Sequence, residues 1–136
     1  MADYRETVDY ILGIPLFAQK IGKENLSSLL CRLGNPEKAV PAIHVAGTNG
    51  KGSTCRALAQ MLAARGYRVG LFISPHLVSI NERIQINGTN ISDDDFVSAF
   101  ETVKGQFMEH PSFFEVMFAM AAVYFRQQKC DFAVYE

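Results

Sequence analysis

The sequence predicts an α/β fold: three layers, helix on sheet on helix, around a mainly parallel sheet. Three observations predict it. The apolar run Ile43-His44-Val45 breaks into a glycine-rich turn that feeds a helical pattern. A second apolar run, Tyr67 to Ile73, follows that helix, and a third, Asp131-Phe132-Ala133-Val134-Tyr135-Glu136, ends in an acid. Strand, loop, helix and strand in that order form a βαβ unit with a right-handed crossover, so parallel strands are expected.

Composition narrows the class. A chain of 136 residues, 49% hydrophobic and 20% charged, is long enough for one domain with a real core and is neither disordered nor fibrous. A formal net charge of −1 provides no basic field, which argues against a nucleic-acid partner. The first residues, with Asp3, Arg5 and Glu6, do not resemble a secretory signal. The most apolar run, Phe113 to Phe125, contains Glu115 and is shorter than the roughly 20 residues of a membrane span. A cytoplasmic protein without a membrane partner is expected. Cys31, Cys55 and Cys130 lie far apart with no C-x-x-C pair, and read as reduced, small buried residues.

Residues 3 to 13 place Tyr4, Val8, Ile11 and Leu12 on one helical face, with Asp3 and Glu6 at capping-box spacing. A second helix, about Lys23 to Leu33, carries Leu26, Leu29, Leu30 and Leu33, and ends at Gly34 ahead of Pro36. The two form a helical preface, residues 1–40, to a core of residues 41–136.

The core opens on Gly47-Thr48-Asn49-Gly50-Lys51-Gly52-Ser53-Thr54. Glycines there let the backbone approach an anion, and the helix that follows aims its unpaired amides at the same point. Lys51 adds a mobile charge for phosphates, while Ser53 and Thr54 offer hydroxyls to Mg²⁺ or a phosphate oxygen. The pattern departs from G-x-x-x-x-G-K-[ST] at two places, with Val45 at the first glycine and Gly52 at the hydroxyl position. The bland alternative is a glycine-rich strand-to-helix turn. The helix runs through Cys55, Leu58, Ala59 and Leu62 to Ala64, and Gly66 ends it.

The second strand ends in Ser74-Pro75-His76-Leu77. Carboxyl ends of strands line the crevice of an open α/β sheet, so Ser74 falls beside the loop, as a Mg²⁺ ligand or simply as a turn serine. Arg83 could bind an anionic group or form a solvated pair with Glu82. Alternation over 83–86 followed by Asn87-Gly88 predicts a β-hairpin through Ile91. Ser92 caps a helix whose first turn holds Asp93, Asp94 and Asp95 and whose apolar face is Phe96, Phe100, Val103 and Phe107. Ser112 caps the last helix. There Glu115 precedes an all-apolar run, so it either lines a cavity or sits in a surface first turn. Glu136, at the end of a buried strand, has the Walker B placement for Mg²⁺.

The wording Gly-Thr-Asn-Gly-Lys-Gly-Ser-Thr at 47–54 closely resembles the nucleotide loop of the Mur ligase superfamily. Gly52 favours its folate branch, folylpolyglutamate synthase and dihydrofolate synthase. Ser74-Pro75-His76-Leu77, Asn81-Glu82-Arg83-Ile84 and Ser112-Phe113-Phe114-Glu115 are similar to segments of the same family. The resemblance implies a Mur-ligase-like ATP-binding domain that uses ATP and Mg²⁺ to add L-glutamate to folate or dihydropteroate through an acyl phosphate. It implies that residues 47–54 bind nucleotide with Lys51 catalytic, that Ser74 and Glu136 hold metal, and that His76, Arg83, Ser112, Phe113, Phe114 and Glu115 face the substrate.

The resemblance spans essentially all 136 residues but only about the first third of such a ligase. A truncated central domain is therefore expected, lacking the C-terminal glutamate-binding domain, inactive alone and prone to self-association, whereas the full-length enzyme is expected to be a monomer. Three rivals are a Mur cell-wall ligase, a P-loop switch or motor NTPase, and a non-catalytic interaction module. The first is disfavoured by the substrate-side segments and the second by Gly52.

Overall fold

In the computed structural model, which describes residues 3–14, 26–45, 51–108 and 111–136 and only the backbone of Lys51, five strands form one sheet in the order β1-β5-β2-β3-β4. β1 (Ala42–His44) and β2 (Val69–Phe72) are both parallel to β5 (Phe132–Tyr135), which lies between them. β3 (Ile84–Ile86) and β4 (Thr89–Asn90) extend the sheet as an antiparallel hairpin. The parallel character expected from the sequence therefore belongs to β1, β5 and β2, and the sheet as a whole is mixed.

The hairpin follows from its turn. Asn87 and Gly88 have φ of 48° and 82°, the left-handed pair that a two-residue hairpin requires. Asn87 also accepts a hydrogen bond from the amide of Val69 at 2.8 Å, which ties the turn to the start of β2.

Alternation along the strands builds two cores. Val69, Leu71 and Ile73 with Val134 of β5 pack with Cys55 and Ala59 of α3 (Lys51–Ala64). On the other face Phe72, Ala133 and Tyr135 join the larger core made by α1 (Tyr4–Leu12), α2 (Leu26–Arg32), α4 (Asp93–Lys104) and α5 (Phe113–Gln127). This is the expected three-layer arrangement. The first two helices bury Ile11, Leu29 and Leu30 in that same core, so the preface and the sheet share one interior.

Helix ends match their sequence signals. Asp3 accepts from the amide of Glu6 at 2.8 Å, Ser92 from that of Asp95 at 3.1 Å, and Arg126 of α5 donates to the Leu33 carbonyl beyond α2 at 3.0 Å. α5 is the most buried helix, as its run of apolar residues requires. Of the cysteines, Cys55 and Cys130 are buried and free, and burial pushes the Cys130 thiol up to about 11. Cys31 departs from expectation. It is exposed, because the apolar stripe of α2 runs through Leu29 and Leu30 and turns residue 31 outward.

β2 crosses α5 closely at Gly70, where an added Cβ would lie 2.6–2.7 Å from the Phe125 ring. Phe125 is fully buried and cannot swing away. Gly70→Ala is expected to lower stability by about 1–3 kcal/mol in urea unfolding, with partial recovery in the double variant Gly70→Ala/Phe125→Leu.

Candidate nucleotide and substrate site

The carboxyl ends of β2 and β5 meet the start of α3. Glu136 follows β5, and its amide donates to the Phe72 carbonyl of β2 at 3.0 Å. This places its side chain beside the segment that leaves β2. The Ser74 hydroxyl donates to Glu136 Oε1 at 3.2 Å. The other carboxylate oxygen lies 3.4 Å from the point where a Cβ on Gly52 would stand, within the first turn of α3. Glycine at 52 thus lets a carboxylate come against the helix N-terminus, where dipole and free amides favour negative charge.

Of the nucleotide-loop residues, Gly47, Thr48, Asn49 and Gly50 lie outside the described residues, as does the side chain of Lys51. The Lys51 backbone opens α3, Gly52 is half-buried, and Ser53 and Thr54 are exposed on the first turn. Val45, the residue after β1, donates its amide to the Tyr135 carbonyl at 2.9 Å, so the chain still runs alongside β5 there.

On the other side of Glu136 lies a second group. Arg83 Nε donates to His76 Nδ1 at 2.7 Å, and its guanidinium carbon stands 4.9 Å from the centre of the Phe113 ring, a cation–π contact. Burial lowers the Arg83 pKa while the Glu136 carboxylate raises it, so the two side chains sense each other's charge. Burial first and Arg83 second lower the pKa of His76, which favours the neutral ring. The structure therefore brings Ser74, Glu136, Arg83, His76 and Phe113 into one neighbourhood. Phe114 remains 49% exposed while its ring meets those of Phe72 and Phe118 at 6.0 and 5.9 Å.

Ser112 and Glu115 form a capping box: Glu115 Oε1 accepts from the Ser112 amide at 2.8 Å, and the Ser112 hydroxyl accepts from the Glu115 amide at 3.2 Å. The cap satisfies this acid ahead of an apolar helix.

Glu82 does not form the solvated pair with Arg83 that the sequence left open as an alternative. Instead, its carboxylate accepts from the amides of Leu77, Val78 and Ser79 at 2.9, 2.9 and 2.8 Å, bonds that hold its pKa below the ordinary value. The signal was present in Ser79-x-x-Glu82, a capping-box spacing, and the box forms.

Among the described residues no cluster of three or more His, Cys, Asp or Glu forms a metal site, and no helix is long and apolar enough to cross a membrane. Asp93, the first of the three aspartates that open α4, accepts from Asn81 at 3.1 Å. A cavity of about 550 Å³ lies between α3 and β2–β3, where Arg56, Gln60, Val69, Leu71, Gln85 and Asn87 line it.

Comparison with known proteins shows what the chain is similar to. Over 98% of its length the chain is 40% identical to the dihydrofolate synthase/folylpolyglutamate synthase of Bacillus subtilis (strain 168), of which it covers 33%. The crystal structure of folylpolyglutamate synthase from Thermotoga maritima superposes on 98% of the chain with a TM-score of 0.87 at 39% identity, the match covering 32% of that protein. The chain corresponds to one region of the folylpolyglutamate and dihydrofolate synthases. An FPGS–AMPPCP–folate complex matches with a TM-score of 0.90 at 39% identity, over 98% of this chain and 34% of that one. The chain thus spans about a third of the length of the relatives it matches. No protein-family model matches it.

If the Ser112 hydroxyl serves the cap, Ser112→Ala should cost about 1 kcal/mol in thermal or urea unfolding. Ser112→Asp, which retains a capping oxygen, should recover most of it.

Proposed function

We propose that this chain is the nucleotide- and folate-facing part of an ATP-dependent carboxylate–amine ligase that joins L-glutamate to folyl or dihydropteroate substrates. The observation that carries the reading is the meeting of Ser74, Glu136 and the first turn of α3. Hydroxyl and carboxylate oxygens are the hard donors that suit Mg²⁺, and their position at a helix start suits phosphate. When bound with ATP, Mg²⁺ would supply charge neutralisation on the phosphates.

The loop from Gly47 through Thr48, Asn49, Gly50, Lys51 and Gly52 to Ser53 and Thr54 positions the triphosphate, and Lys51 offsets charge that develops on the transferred phosphoryl group. Arg83, backed by His76, takes an anionic group of the substrate, and Phe113 and Phe114 offer it apolar ring surface. The substrate carboxylate attacks the γ-phosphorus and ADP leaves, giving an acyl phosphate. The amine of L-glutamate then attacks the acyl carbon, phosphate departs and an amide remains. No side-chain nucleophile is needed, since both attacking groups belong to substrates.

Residues 1–40 act as a helical preface and 41–136 as the ATP-binding core in this reading. The other two-thirds of the relatives' length supplies glutamate binding and the remaining catalytic groups, so the 136 residues alone bind nucleotide without turning over. The complete enzyme is a cytoplasmic monomer.

Calorimetry with ATP and Mg²⁺ tests the reading. Lys51→Ala should weaken binding at least tenfold with an unchanged circular dichroism spectrum, while Arg83→Ala should leave ATP binding intact and weaken folate. Equal affinity of wild type and Lys51→Ala for ATP would remove the basis of the assignment.

A further inference from the structure

Between β2 and the 3-10 turn Ile80–Arg83, the chain passes through a loop, 74–79, whose tip is apolar and open: Leu77 is 89% exposed and Val78 91%. Side chains so exposed contribute little burial energy to hold a loop in shape. What holds it is the one carboxylate of Glu82, which accepts from three successive amides, those of Leu77, Val78 and Ser79. These are charge-assisted bonds, strongest when the carboxylate is ionised.

The turn that carries Glu82 is itself anchored. Asn81 is 5% exposed. Its amide nitrogen donates to the Ile91 carbonyl at 2.8 Å and to Asp93 at 3.1 Å, and its oxygen accepts from the hydroxyls of Tyr4 and Ser79. Glu82 and Arg83 thus extend from a fixed turn and grip the same loop at two points: Glu82 on the backbone of 77–79, Arg83 on the ring of His76. The second grip depends on the first, because His76 immediately precedes the clamped amides. Its ring can meet Arg83 Nε only while that backbone stays in place.

We propose that Glu82 is a positioning residue for the substrate side of the site. Its carboxylate fixes the loop so that His76 engages Arg83 Nε and leaves the two Nη groups of the guanidinium fork for an anionic group of the substrate. The proposal rests on the reading of Arg83 as the substrate-side anion ligand. A guanidinium held in this way loses less freedom on binding than one on a free side chain, so the gain is in affinity. Glu82 touches no substrate.

The test compares the ¹⁵N-labelled chain with Glu82→Gln, whose neutral amide offers one acceptor oxygen and turns its NH₂ toward amide donors. In the wild type, the amides of 77–79 and the Arg83 Nε–H should exchange at least tenfold more slowly than unprotected groups. In the variant all four should lose that protection while the melting temperature holds, and folate affinity should fall at least threefold. Unprotected amides in the wild type would overturn the proposal without recourse to a variant that might misfold. So would an Arg83 Nε–H that stays protected in Glu82→Gln, or an unchanged folate affinity once it is lost. If the wild type bound no folate, the reading of Arg83 as a substrate ligand would fall, and the Arg83 resonance would still decide whether Glu82 positions it.

Discussion

The pairing of β5 with two parallel neighbours at once determines what the rest of the molecule can do. Tyr135 stands in register with His44 of β1 and Phe72 of β2, so the next residue, Glu136, emerges between the two strand ends. To one side the chain leaves β1 toward the glycine-rich loop and α3. To the other it leaves β2 toward Ser74 and the loop that carries His76. The carboxylate is therefore fixed between the phosphate-facing and substrate-facing groups by backbone pairing, with little reliance on side-chain packing. In an open α/β sheet this is the crevice at the carboxyl ends of the strands.

That location explains why the charged groups are so economically partnered. Glu136 meets Ser74 and the amide end of α3, and raises the pKa of a half-buried Arg83. Arg83 is also held by a neutral histidine and an aromatic face, neither of which cancels its charge. Its carboxylate neighbour in sequence, Glu82, is committed to backbone amides. A surface ion pair between 82 and 83 would have left the arginine already satisfied. The structure keeps its charge uncompensated by Glu82, which is the condition for binding an anion.

Much of this was legible in the sequence because local chemistry and tertiary context agree. The Asn87-Gly88 turn, the serine caps at 92 and 112, and the stop at Gly66 each depend on a few neighbouring residues, and all form. The apolar strands and the acid that ends the last of them could be read as well. The insertion of β5 between β1 and β2 could not, since each strand is only a short apolar run and strand order is decided by long-range pairing. Glu115 was ambiguous for a related reason. Its apolar successors suggested a cavity, but its own spacing from Ser112 allowed a cap, and the short-range bond formed. Cys31 was misjudged because composition alone cannot tell which side of a short helix faces out.

The central claim is that Ser74, Glu136 and the first turn of α3 together form a site for a metal-bound nucleotide. Paramagnetic broadening tests it most directly, with Mn²⁺ and ATP added to the ¹⁵N-labelled chain and Mn²⁺ alone as the control. The account predicts that the amide signals of Gly52, Ser74 and Glu136 broaden first and together, and much more with ATP than without. Broadening centred elsewhere, such as at Asp93 to Asp95, or none at these three amides, would contradict it.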